Sequence, residues 1–230
     1  MSTTDNTKRS APARERGTEG NGSKKRQREI IDAAADIFHR KGYSDTSVQD
    51  VADAVGILKG SLYYYIDSKE DLLFRMLLEV HEDAKAVVTE TAALDLPPLE
   101  RLRIYVQRHV EYNASNLAKI AVYYHDFGLL TPKRKKAIIG QRKFYETFVR
   151  GLIVEAQERG EVDDAIDPIL VSNAIFGLVN WIYTWYNPKG SITPEYLGEL
   201  YAEIAVSGIT SPNMPKRPPA VRRTTRAKRA

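Results

Sequence analysis

Between Tyr43 and Asp71 the chain gathers side chains suited to a polyanion. Lys59, Gly60, Ser61, Tyr63, Tyr64 and Tyr65 follow one another within about two helical turns. A lysine ammonium donates to guanine O6 or N7 or to a phosphate, and a serine hydroxyl serves several acceptors. Tyr63 and Tyr64 bring hydroxyls for phosphate oxygens and ring edges for thymine methyls. Thr46, Ser47 and Lys69 flank this segment and suit phosphate contacts. The basic cluster with Lys25 and Arg26 lies where an arm could enter an adjacent minor groove. Taken singly, each residue has an ordinary explanation: three tyrosines in a row straddle core and surface, and a lone lysine is usually solvated. Together and in this order, they describe a surface for double-stranded DNA.

Such a surface needs two short helices and a tight turn. Val48, Val51, Ala52 and Val55 form the inner face of the first, and Ala52 is small where the second must come close. Gly56 supplies the positive φ of the turn, and Ile57 and Leu62 complete a small core. Elsewhere the periodicity is also helical. Ile30, Ile31, Ala34, Ile37 and Phe38 share a face. Ser68 caps a run in which Leu72, Leu73, Met76, Leu77 and Val80 repeat. Thr131-Pro132, Asp167-Pro168 and Thr193-Pro194 each place a capping side chain before a proline suited to the first helical turn. The spacing predicts helices at roughly 24–41, 47–54, 58–65, 68–92, 98–115, 117–127, 131–159, 167–186 and 193–208. Strand-like alternation is missing, so the fold class expected is all-α with about nine helices.

At this point the sequence resembles the tetracycline-repressor (TetR) family of bacterial regulators. The residues that carry the resemblance include Gly42-Tyr43, Thr46-Ser47, Val51-Ala52, Val55-Gly56, Lys59-Gly60-Ser61-Leu62-Tyr63-Tyr64 and Ser68-Lys69-Glu70-Asp71. The resemblance implies a three-helix helix-turn-helix head, a helix joining it to an effector domain, and a homodimer reading a palindromic operator. Family members commonly have His-Phe after the tyrosine pair. This chain has Tyr65-Ile66, so the phosphate contact of that histidine does not carry over directly.

Residues 168–186 are apolar nearly all round, so a helix there must be buried on every side. Gly177 would let another helix approach. A pair of helices packed against its mate in a second subunit accounts for this, as does a central helix in a monomeric core. Tyr105, Tyr112, Tyr124, Phe127, Phe148, Phe176 and Trp181, with His109, Asn180 and Arg142, could line a pocket for an amphipathic effector. Lone histidines are more often hydrogen-bonded core or surface residues than ligands, and no metal site is expected. The run Lys133-Arg134-Lys135-Lys136, with Arg142 and Lys143 beyond, is either a solvated helix face or an anchor for phosphates. Phe176-Gly177, Asn180-Trp181 and Trp185-Tyr186-Asn187-Pro188 resemble the C-terminal half of family members that govern fatty-acid and steroid catabolism. That resemblance implies an acyl-CoA thioester as effector. An unrelated hydrophobic or aromatic ligand, of the efflux or drug type, is the other reading.

The 230 residues suffice for one large or two modest domains, and the 43% apolar share permits a substantial core. The net charge of +4 hides an asymmetry. Residues 211–230 carry seven basic side chains and no acid, whereas residues 70–210 carry fifteen basic against twenty acidic. The tail either approaches DNA or merely solubilises the chain. Cysteine is absent and no uncharged apolar stretch is long enough to span a bilayer, so a cytoplasmic protein with no membrane partner is expected. No nucleophile elbow, phosphate loop, zinc or paired-carboxylate spacing is present, which argues against a catalytic site, including one acting on CoA esters, and against a cofactor. A DNA-organising protein without an effector is the third class. The expected division is a disordered tail at 1–23, a DNA-binding domain at 24–69, a ligand-binding and dimerisation domain at 70–210, and a disordered basic tail at 211–230.

Overall fold

The computed structural model describes residues 17–215, which form nine α-helices joined by short turns. The basic segment 216–229 and residues 1–16 lie outside the described residues. Helix α1 (Gly17–Lys41) begins earlier than its apolar periodicity indicates. Once Ile30, Ala34 and Phe38 anchor the helix in a core, each further residue adds a backbone hydrogen bond and needs no buried face. Hydrophobic periodicity is blind to such an extension.

Helix α2 (Val48–Ala54) is started by a capping box: the Ser47 hydroxyl accepts from the Asp50 amide, and the Asp50 carboxylate accepts from the Ser47 amide. Val51 and Ala52 are fully buried. Gly56, at φ +67°, then reverses the chain, and the Ile57 amide reaches back to the Ala52 carbonyl at 3.0 Å. Helix α3 (Lys59–Leu62) is shorter than the 58–65 expected. Leu62 and Ile66 are both buried, and the amides of Tyr64 and Tyr65 bond three residues back, tightening the chain between these two anchors. That leaves Ser68 free to cap α4 (Lys69–Ala92) by accepting from the Asp71 amide.

Behind the head stand α5 (Pro98–Ser115), α6 (Leu117–Asp126), α7 (Pro132–Glu158), α8 (Pro168–Asn180) and α9 (Pro194–Ile209). The expected helix 167–186 ends early. After Asn180 the chain tightens into a 3-10 turn, Trp181–Thr184, that buries Ile182. Tyr186 then turns inward and donates its hydroxyl to the Ile192 carbonyl at 2.8 Å. Nor is this segment buried on every side within one chain: Leu170 and Trp181 are 64% and 62% exposed. The firmest pairing is α5 with α9, where a Cβ at Gly198 would stand 2.9 Å from the Gln107 carbonyl oxygen, too close for any side chain. No helix among the described residues is long and apolar enough to cross a membrane.

Two hydrophobic clusters result. One joins the head (Ile30, Phe38, Val51, Leu62) to the first half of α4, to Ile120 and Tyr123 of α6, and to Ile138 of α7. The other lies among α5, α7, α8 and α9 and reaches α4 at Val88. At the seam between α1, α4 and α6 sits Lys119, nearly buried. Its ammonium pairs with Asp32 of α1 at 2.6 Å and Glu79 of α4 at 3.1 Å, while Arg28 of α1 donates to the same Glu79 oxygen at 3.0 Å. Burial opposes the charge on Lys119, but the hydrogen bonds to Asp32 and Glu79 outweigh it and hold the ammonium above its ordinary pKa. Replacing Lys119 with Met leaves Asp32 and Glu79 without their shared cation. The expected cost is on the order of 2 kcal/mol, read as a lower urea midpoint. A midpoint equal to the parent's would show that the bridge contributes no net stability.

Candidate nucleic-acid interface and enclosed cavity

The α3 segment presents a face with little to bind inside the chain. Lys59 and Gly60 are exposed, Ser61 is half-buried, and Tyr63 and Tyr64 are 47% and 89% exposed. Leu58, which precedes the helix and offers it no side-chain cap, is 79% exposed. Sequence patterning missed it, because an apolar residue beside a turn reads as core. Tyr65 lies differently from its two neighbours, packing partly buried against the head cluster.

The flanking residues are largely occupied by the protein itself. Thr46 is buried and donates its hydroxyl to the Gly42 carbonyl at 2.8 Å, so that hydroxyl does not face solvent. Lys69 points its ammonium into the α1–α2 turn. It donates to the carbonyls of Tyr43 (2.9 Å), Ser44 (3.2 Å) and Thr46 (2.8 Å) and sits 4.5 Å from the centre of the Tyr43 ring. An ammonium has three hydrogens, and three carbonyls take them. Lys69 therefore clamps the turn that presents α2, instead of standing free for a phosphate. Arg26 donates to the Val55 carbonyl at 2.9 Å and pairs with Glu29, tying α1 to the end of α2. Ser47 serves as the α2 cap and stays exposed, and Lys25 is exposed. Thr46 and Lys69, expected at phosphates, and Arg26, expected in a minor-groove arm, are thus engaged in internal hydrogen bonds, which spacing along a sequence does not reveal.

A largely enclosed cavity lies deeper, with about 40 Å³ of free space, enough for a few water molecules. Helix α4 contributes Val80, His81, Ala84 and Val87, and α5 contributes His109, Tyr112 and Asn113. Ile120, Tyr123 and Tyr124 of α6, Tyr145 of α7 and Asn180 of α8 complete the wall. Of the residues expected to bind an effector, His109, Tyr112, Tyr124 and Asn180 meet here. Tyr105 stands behind the wall, fully buried, with its hydroxyl 2.9 Å from His109 Nδ1. Phe176 packs against His109 and Tyr145 from outside the lining, and Phe148 packs on Tyr105 beside a separate surface groove. Arg142 lies behind Tyr123, donating Nε to its hydroxyl at 2.7 Å and covering the ring of Phe127. Trp181 faces away, exposed. Sequence reading missed the α4 wall, although Val80, His81, Ala84 and Val87 follow helical spacing.

The basic run on α7 also divides. Arg134 bonds Asp71 at 3.0 Å and lies over the Phe74 ring, fixing α7 to the start of α4, while Lys133 and Lys143 remain exposed. Among the described residues, no group of three His, Asp or Glu side chains is placed to hold a metal.

The cavity wall is uncharged. Burial pushes His81 down to about 4, helped by the nearby Arg142 guanidinium. Burial also lowers His109 to about 4, against a hydrogen bond with Asn180 that favours its protonation. In the unfolded chain both titrate near 6.5, so between pH 6.5 and 4 the unfolded state binds protons that the folded state refuses. Stability should therefore fall as pH drops through that window, by about 2 kcal/mol per histidine between pH 7 and 5. Urea midpoints at the two pH values measure this, and the His81→Phe/His109→Phe double variant should lose most of the slope. A slope retained in that variant would place its origin elsewhere.

Residues 30–76 match the family described as bacterial regulatory proteins, tetR family, and residues 95–209 match the tetracyclin repressor-like C-terminal domain. The chain is 28% identical over 194 residues to the HTH-type transcriptional repressor KstR2 of Rhodococcus jostii, covering 84% of this chain and 95% of that protein. The solved structure of the ketosteroid transcriptional regulator KstR2 of Mycobacterium tuberculosis superposes with a TM-score of 0.75 at 28% identity, over 81% of this chain and 95% of that one. AibR, solved in complex with isovaleryl coenzyme A and operator DNA, superposes with a TM-score of 0.69 at 26% identity, over 78% and 97%. With an all-helical fold, an N-terminal helix-turn-helix and matches to both halves, the chain belongs to the tetR family of bacterial regulatory proteins, which are transcriptional regulators and not enzymes.

Proposed function

We propose that the chain is a transcriptional repressor that binds a palindromic operator as a homodimer and is released by an acyl-CoA thioester. The observation that carries this reading is the position of α4. It starts at the base of the head, where Leu72, Leu73, Met76 and Leu77 are fully buried with head residues, and its middle forms one wall of the enclosed cavity. An acyl chain exceeds the free space in this cavity, so its entry moves the wall, of which α4 and α6 form a part, and both pack directly on the head. Ligand then acts through its different affinity for the DNA-competent and displaced arrangements.

Docking follows from the exposed face. Lys59, Ser61 and the hydroxyls of Tyr63 and Tyr64 meet base edges and phosphates, and Leu58 adds an apolar contact of the kind a thymine methyl accepts. Dimerisation is supported by two exposed apolar stripes. Leu170, Ala174, Gly177 and Trp181 form one, and nothing beyond Gly177's chain neighbours and its own helix backbone lies within 4 Å of a Cβ built there. Tyr196, Leu200 and Ile204 form the other, opposite the α9 face that packs on α5. A second copy seated there sets the two α3 segments at the separation a palindrome demands, ~34–36 Å or a multiple of it. For the effector, AibR was solved with isovaleryl coenzyme A, and the exposed Lys133 and Lys143 of α7 suit phosphates.

In the head, Tyr64→Ala and Lys59→Ala are each expected to weaken operator binding about tenfold or more while leaving the melting temperature unchanged. Lys69→Met should instead lower the melting temperature, because its three carbonyls lose their donor. Normal binding by both Tyr64→Ala and Lys59→Ala would refute the docking. For the effector, an operator selected from random duplexes is followed by fluorescence anisotropy against acyl-CoA thioesters and their free acids. Release by thioesters alone is expected, and no release by any of them would remove the acyl-CoA reading while leaving the DNA-binding one.

A further inference from the structure

His81 lies in the middle of α4, 3% exposed, in the wall of the cavity. One edge of its ring is engaged: Nδ1 stands 3.3 Å from the Tyr145 hydroxyl. The ring also stacks on Tyr145 and meets Tyr123 edge-on, which fixes its plane. The other nitrogen, Nε2, is buried without any hydrogen-bond partner. Buried polar atoms are nearly always paired, so an orphan in the wall of a cavity marks a position where an occupant returns the missing bond.

Several neighbouring polar groups are already committed. Asn113 donates to the Val179 carbonyl at 3.0 Å, and the Tyr112 hydroxyl donates to Asp83 at 3.0 Å. Tyr123 accepts from Arg142, and His109 Nδ1 is matched with Tyr105. When the Tyr145 hydroxyl donates to Nδ1, the neutral ring carries its hydrogen on Nε2 and offers a donor. A neutral donor in an uncharged wall suits a carbonyl oxygen. No charged side chain lines the cavity itself, and the Arg142 guanidinium nearby has its Nε hydrogen bonded to Tyr123.

We propose that His81 Nε2 is the hydrogen-bond donor that recognises an uncharged carbonyl on the effector, the thioester carbonyl when the effector is an acyl-CoA. This deepens the acyl-CoA reading and rests on it. It assigns His81 as the specificity-determining contact between the occupant and the helix that leads into the head. The bond forms only on binding, so it separates effectors that carry the carbonyl from those of the same shape that lack it.

The test compares butyryl- to palmitoyl-CoA with the S-alkyl-CoA thioethers of matching length, in which a methylene replaces the carbonyl. Operator release by full-length protein is the readout. The parent protein should respond to the best thioester at roughly a tenth of the concentration its thioether needs, the worth of about one hydrogen bond. His81→Phe should bring that ratio close to one, while His81→Gln, which keeps a donor, should preserve part of it. Operator affinity without effector, measured for each variant, reports whether the fold is intact. Should His81→Phe prove misfolded, the parent ratio together with His81→Gln decides. Equal response to thioester and thioether in the parent, or an unchanged ratio in a folded His81→Phe, overturns the assignment and leaves the acyl-CoA reading standing. Failure of every thioester to release DNA overturns both.

Discussion

Helix α4 is held in two hydrophobic cores at once, and the remaining architecture is arranged around that constraint. Leu72, Leu73, Met76 and Leu77 are sealed among head residues, whereas Val88 is sealed among α5, α7 and the helices behind them. Close-packed cores move as bodies, because sliding one face past another opens voids and forces side chains out of their rotamers. In the proposed mechanism, a displacement at the cavity wall, around His81 and Ala84, would pass along α4 to the head. The short turn to α3 is stiffened by the same economy of contacts. Leu62 and Ile66 are buried on either side of the exposed Tyr63 and Tyr64, and the Lys69 ammonium holds the carbonyls of the preceding turn.

Helix α6 also touches both regions. Its Ile120 faces the cavity and belongs to the head-side core, and the adjacent Lys119 binds carboxylates from α1 and α4. A buried ammonium is tolerated only while its partners stay in place, since an unpaired charge there is costly. The bridge thus favours one relative position of the three helices over all others. It defines the arrangement of the three helices at that seam.

Inside the cavity the chemistry is polar but uncharged, an outcome of packing. His81 and His109 are ordinary titratable residues in the sequence, and their neutrality follows from helices that exclude water from both rings. Tyr112, Tyr123 and Tyr145 are likewise shifted upward in pKa by burial, which keeps their hydroxyls protonated as hydrogen-bonding groups. Such a wall discriminates by the placement of hydrogen-bond donors and acceptors more than by charge.

Much of this was legible in the chain itself. The apolar repeats from Ile30 to Phe38 and from Leu72 to Val80, the Gly56 turn and the capped prolines at 132, 168 and 194 are local signals, and local hydrogen bonding and backbone sterics suffice to read them. They determined an all-α fold, a helix-turn-helix near the N-terminus and the face carrying Lys59 and Tyr64. What tertiary structure alone decided is which polar groups are already occupied. Thr46 and Lys69 look like free donors in sequence but bond backbone carbonyls in the fold, and Arg142 turns its Nε to Tyr123 behind the cavity wall. His81, one histidine among four, comes to hold a buried nitrogen without a partner only when α4, α6 and α7 close around it. The physical reason is that periodicity reports which face of a helix is apolar. The pairing of a polar atom depends on residues brought together from distant parts of the chain, as Tyr145 and His81 are.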